Sequence, residues 1–185
     1  MFLDPDTLNS AICVATETRV LAVGVANNLT KALEGKHAMK HRIAEQCSQL
    51  TALTRAALRT FPDIRLCVAE YPQDRKSRWV RPDDLIALAT TLGAFLGPAG
   101  DRGVLVWPVE WKGSLSKTNC QARAFEHFGW DYEIDPRMKN GVRKFRIPES
   151  VNCLSEIPTG AMGDLADAVA GAKWAAIFGK RRVGT

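Results

Sequence analysis

The chain has 185 residues, 46% hydrophobic and 24% charged, a globular profile that excludes a disordered or fibrous protein and suggests one domain. Lys and Arg number 25 against 20 Asp and Glu; the net charge of +5 and isoelectric point near 9.1 favour a polyanionic partner. No apolar run approaches the roughly 18 residues of a membrane span, and Met1-Phe-Leu-Asp-Pro-Asp6 lacks the basic and apolar regions of a secretion signal. Five scattered cysteines (Cys13, Cys47, Cys67, Cys120 and Cys153), with no C-x-x-C, read as reduced thiols of a cytoplasmic protein rather than a disulfide frame or zinc site.

Met1 to Leu3 reads as a short strand ending at Asp4-Pro5-Asp6, where Asp-Pro-Asp-Thr-Leu-Asn-Ser is turn chemistry. Ala11 to Ala15 and Arg19 to Ala26 are apolar and β-branched, joined by polar Thr16-Glu-Thr18, and predict a hairpin. Met39, Ile43, Cys47, Leu50, Leu53, Ala57 and Phe61 then recur at threes and fours, an amphipathic helix from about Lys36 to Thr60. His37 and His41 stand i, i+4 near its start, but Lys36, Lys40 and Arg42 around them assign both to an exposed basic face rather than a metal.

Ile64 to Pro72 is a continuous apolar strand. Glu70 lies near its C-terminal end, where α/β folds place their chemistry, unless it is a plain solvent-facing strand end. From Gln73 to Arg81, the basic residues Arg75, Lys76, Arg78 and Arg81 surround Trp79. This suits phosphates and an unstacked base, and equally suits a solvated loop with one anchoring Trp. Pro82 opens a helix with Asp83 and Asp84 in its first turn, a buried stripe of Leu85, Leu88, Ala89, Leu92, Phe95 and Leu96, and a stop at Gly97-Pro98.

Val104 to Val109 is a further strand, Glu110 to Lys117 a polar, basic loop, and Lys117 to Phe128 a short helix. Residues 130–158 are the least regular. Asn140-Gly141 there is a hairpin turn signal inside Arg137 to Arg146, where five of ten residues are basic. The last helix, about 160–178, is rich in Ala, with Gly179 as its stop and a basic tail beyond. Asp164 and Asp167 share a face of its first turn. Asp164 suits an N-cap, whereas Asp167 among apolar neighbours needs a partner, because an unpaired buried charge costs several kcal/mol.

Asp4, Glu70, Asp164 and Asp167 therefore mark two strand ends and a helix start, which can converge at one edge of a sheet. Four carboxylates there would make an oxygen-rich site suited to Mg²⁺ or Mn²⁺. Two such ions about 4 Å apart would activate water and stabilise a leaving oxygen in phosphodiester cleavage.

The order of strand-Asp-Pro, meander, helix, strand-Glu and a late Asp-Leu-Ala-Asp-Ala helix resembles the RuvC-type Holliday junction resolvases. Those are nucleases of the ribonuclease H-like fold. The resemblance spans about residues 1–128 and 160–178 and leaves 130–158 unmatched. It implies an α/β fold with a mixed five-stranded sheet, the first three strands antiparallel, and helices on both faces. It further implies Asp4, Glu70, Asp164 and Asp167 as catalytic ligands of two Mg²⁺ or Mn²⁺ ions, with Lys112 and Lys117 near the scissile phosphate. Homodimers making paired nicks in a four-way junction are implied, with flaps or forks as related substrates, and phage-encoded relatives are common at this size.

Arg75, Lys76, Arg78, Trp79, Arg81, Lys112, Lys117, Arg143 and Lys144 are the expected DNA contacts. Two departures bear on the site, one being that only three residues precede Asp4 in the first strand, fewer than is usual in the family. The family shows Asp-Pro-Gly where this chain has Asp4-Pro5-Asp6, so Asp6 is a candidate to assist or replace Asp4. The alternative reading is a branched-DNA-binding protein that keeps the fold without cleavage.

Overall fold

The computed structural model describes residues 1–6, 8–27, 38–71, 82–134, 142 and 144–179. Strands β1 (Phe2–Asp4), β2 (Asn9–Ala15) and β3 (Val20–Asn27) form an antiparallel meander. On the other side of β1, β4 (Cys67–Glu70) and β5 (Gly103–Val106) add in parallel. A separate two-stranded ribbon pairs β6 (Tyr132–Glu133) with β7 (Lys144–Phe145), and the Asn140-Gly141 turn signal lies outside the described residues. The helices are α1 (Ala38–Thr60), α2 (Pro82–Ala99), α3 (Pro108–Lys112), α4 (Lys117–Phe128) and α5 (Met162–Phe178).

The sheet has six strands rather than five, because β8 (Asn152–Cys153) lies parallel to β3 and gives the order β5-β4-β1-β2-β3-β8. Asn152-Cys153 carries no strand pattern in sequence, and its neighbours hold it. The Leu154 N–H donates to Val23 O at 2.8 Å, and Ser155 Oγ accepts from Val25 N–H at 2.8 Å while donating to Val25 O at 3.0 Å.

Period-two alternation sorts the strands into two cores. Phe2, Ala11, Cys13, Val23, Val25 and Val68 face α5, which contributes Leu165, Ala168, Val169 and Ala172. Leu3, Ile12, Val14, Ala22, Cys67 and Ala69 face the opposite side, against Leu50, Leu53 and Ala57 of α1 and Leu92, Phe95 and Ala99 of α2. The helices thus cover both faces. Among the described residues no helix is long and apolar enough to cross a membrane, and the five cysteines are free thiols.

Local boundaries depart from the sequence expectations for physical reasons. The Ile64–Pro72 strand shrinks to β4, and the strand expected to reach Val109 ends at Val106. There Pro108 at N1, with Glu110 Oε2 accepting from the Trp107 N–H at 2.8 Å, starts α3 where a loop was expected. Gly97-Pro98 does not stop α2, which runs to Ala99. A helical proline leaves the carbonyl four residues back without its N–H partner, and here Thr51 Oγ1 donates to that carbonyl, Ala94 O, at 3.2 Å. The buried stripe of α2 is Ala87, Thr91, Leu92, Phe95 and Ala99; Ala89 is exposed, and Leu85, Leu88 and Leu96 are half-buried.

Helix α5 lies across β1 and β2, with Gly171 directly over the buried ring of Phe2. Gly179 is not a left-handed helix stop: its φ is −60°, and its missing side chain makes room for Leu66. The tail 180–185 lies outside the described residues. An added Cβ at Gly171 would fall on the Phe2 ring, which is itself packed edge-on against Trp111 at 5.3 Å. Overpacking of this kind costs about 1–3 kcal/mol. Gly171→Ala is therefore expected to lower Tm by several degrees in thermal unfolding, and an unchanged Tm would contradict the close approach.

Candidate active site

The parallel pairing of β1 and β4 brings their C-terminal ends to one edge, with Phe2 beside Val68 and Leu3 beside Ala69. The next residues are Asp4 and Glu70. By alternation both follow Phe2 and Val68 onto the face covered by α5. The first turn of α5 meets this edge, so Asp164 and Asp167 join Asp4 and Glu70 there.

Asp164 is not the N-cap. Ala161 occupies that position without a side-chain cap, and Asp164 lies inside the first turn, hydrogen-bonded to the Asn9 side chain. Asp6 sits nearby in its own turn, its Oδ1 accepting from the Leu8 N–H at 2.8 Å, and its charge acts on Asp164. The Asp6 backbone is pinned from below by fully buried Gln46, whose Nε2 donates to Asp6 O at 2.8 Å and to Ser10 Oγ at 2.9 Å.

Both lysines reach the acids. Lys112 Nζ lies 2.9 Å from Glu70 Oε2, which also accepts from Trp111 Nε1 at 2.8 Å, and the ammonium stands 4.4 Å over the Trp111 ring. Lys112 projects from α3 rather than from a loop. Lys117, the first residue of α4, pairs with Asp167 Oδ2 at 2.5 Å. The other oxygen, Oδ1, accepts from Gln121 Nε2 at 2.8 Å. The sequence reading missed Asn9, Trp111 and Gln121. Only Gln121 carried a signal, standing one turn after Lys117 on the same face of α4.

The electrostatics are those of crowded like charge. Burial, and then the negative charges of Asp167, Glu70 and Asp164, push the Asp4 carboxyl well above the usual range, against the pull of Lys112. Burial and the charge of Asp6 raise Asp164 to about 6. Burial disfavours the Lys117 ammonium, but Asp167, Asp4 and Asp164 outweigh it and hold its pKa above the ordinary value.

The donor set, all carboxylate oxygen, fits a hard divalent cation. Among the described residues, however, no three acidic, histidine or cysteine side chains are yet gathered into a metal-holding group. Lys112 and Lys117 supply positive charge to Glu70 and Asp167 as they stand.

Of the other expected contacts, only Lys144 falls among the described residues. Lys144 is on β7, exposed, 3.8 Å from Glu133. Arg75, Lys76, Arg78, Trp79, Arg81 and Arg143 lie outside the described residues, as does His37, while His41 is exposed on α1.

The raised Asp164 carboxyl makes stability depend on pH. Its folded carboxyl titrates near about 6 and the unfolded one near 4. Folding therefore takes up a proton between those values, and stability falls as pH rises through that window. The penalty is absent below about pH 4 and complete above about pH 6. Asp164→Asn should raise Tm at pH 7.5 and leave it unchanged at pH 4 by calorimetry. An equal shift at both values would contradict the assignment.

No family model and no curated protein matches the chain. Two solved structures of Thermus thermophilus RuvC do match in fold. One, described as in complex with Holliday junction substrate, aligns with a TM-score of 0.62 at 16% identity, covering 97% of this chain and 93% of that one. The other aligns with a TM-score of 0.61 at 17% identity, with the same coverage. The chain has the ribonuclease H-like α/β fold of the RuvC kind.

Proposed function

We propose that this protein is a divalent-metal-dependent, structure-selective DNA endonuclease that resolves four-way junctions by paired phosphodiester nicks, acting as a homodimer. The observation that carries the reading is the meeting of Asp4, Glu70, Asp164 and Asp167 at one sheet edge, with two lysines among them, in a RuvC-type fold. The same four carboxylates would hold two ions, Mg²⁺ or Mn²⁺, which when bound supply Lewis acidity to an attacking water and a leaving oxygen.

The chain's own residues do the rest. Lys112 and Lys117 offset the repulsion that four acids would exert on an approaching phosphodiester. The Trp111 indole and Gln121 amide hold Glu70 and Asp167 in fixed orientation. The basic stretches at 75–81 and 137–146 would supply phosphate contacts.

The engagement of Glu70 and Asp167 by lysine favours a second reading, a branched-DNA-binding protein without cleavage. Labelled four-way junction, flap and linear duplex incubated with Mg²⁺ or Mn²⁺ decide between the two. The nuclease reading expects paired nicks in the junction, lost in Asp167→Asn. Tight junction binding with no nicks under either metal supports the second reading, and no binding at all sinks both. Binding is also expected to weaken with salt. Lys144→Ala should reduce the slope of log K against log[salt] by about 1, whereas an unchanged slope would remove β7 from the DNA surface.

A further inference from the structure

We propose that Gln121 is a positioning residue that couples Asp167 to the segment at Val142, so that the carboxylate and the β6–β7 hairpin keep their orientations together. Its consequence for catalysis rests on the nuclease reading; the coupling itself does not. Gln121 is fully buried on α4. Its Nε2 donates to Asp167 Oδ1 at 2.8 Å and stands 3.5 Å from Gly163 O in the first turn of α5, while its Oε1 accepts from the Val142 N–H at 2.6 Å.

The amide fits only this way round. Turned over, it would set oxygen against a carboxylate and an NH₂ group against the Val142 N–H. With Lys117 on Oδ2, helix α4 holds both oxygens of Asp167 from residues one turn apart.

Val142 is itself buried, at 1% exposure, and lies in the stretch from Arg137 to Arg146 that carries five basic residues. Two hydrogen bonds in series, Val142 N–H to Gln121 and Gln121 to Asp167, therefore run from that stretch to the acidic edge with no water-exposed link. A phosphate drawn to Lys144, two residues on from Val142, would bear on the main chain there, and through Gln121 on the direction in which Asp167 Oδ1 is held. A glutamine that merely filled the core would leave Val142 indifferent to Asp167, which it does not touch through any bond of its own.

Amide hydrogen exchange on the full chain separates these cases without any DNA or metal. Gln121→Met keeps the side-chain length and removes both bonds; Asp167→Ala removes only the far end. Several-fold faster exchange at Val142 is expected in each, with no further gain in the double variant and unchanged exchange at Leu50 on the opposite face. On junction DNA, Gln121→Met should lower kcat roughly 10-fold or more at an unchanged KM. Unchanged exchange at Val142 in Asp167→Ala, or additive effects in the double variant, overturns the coupling. A raised KM with unchanged kcat overturns the positioning role. A wild type that cuts no DNA defeats the nuclease reading alone, and the exchange result still decides the coupling.

Discussion

Asp4, Glu70, Asp164 and Asp167 repel one another across the edge where β1, β4 and α5 meet, and much of the surrounding structure answers that repulsion. Burial at this edge makes the charged forms expensive, as the raised Asp4 and Asp164 carboxyls record. Lys112 and Lys117 come in from two consecutive helices to meet the charge; the Trp111 indole donates to the Glu70 oxygen that Lys112 engages, and the Gln121 amide takes the second oxygen of Asp167. A fold selected for stability alone would not gather these groups. Sites that do chemistry commonly give up stability in this way.

What allows the gathering is close packing. Gly171 lets α5 descend onto the Phe2 ring, and the same ring supports Trp111, whose indole fixes Glu70. One aromatic side chain on a three-residue strand thus sets both the depth of α5 and the aim of a carboxylate on the neighbouring strand. The short first strand is sufficient because β2 and β4 flank it on both sides.

The broad fold was legible because its signals are local and periodic. The β2–β3 hairpin follows from apolar, β-branched runs joined by a polar turn and α1 from apolar positions at threes and fours, and α4 has the expected bounds. The four acids were legible by context, since strand ends and helix starts are where charge beside apolar runs stands out. Less visible were features that depend on distant partners. Pro98 continues α2 only because Thr51, on another helix, satisfies Ala94. β8 exists only because the main chain beside it bonds to β3. Asp164 suited an N-cap in sequence, but the preceding 3₁₀ turn, Thr159–Ala161, moves the helix start upstream to Met162. Gln121 shares a face of α4 with Lys117, but its role depends on Asp167 and Val142, distant residues that only the fold sets on either side of it.

The proposed nuclease function requires that this acidic edge bind a cation, with the lysines as partners that yield to it. Anomalous diffraction from crystals of the protein soaked in Mn²⁺ tests it most directly. The account predicts a peak bounded by Asp4, Glu70, Asp164 and Asp167, with Lys112 Nζ or Lys117 Nζ drawn away from its carboxylate. No peak at that edge, with both ammoniums still on Glu70 and Asp167, would contradict it.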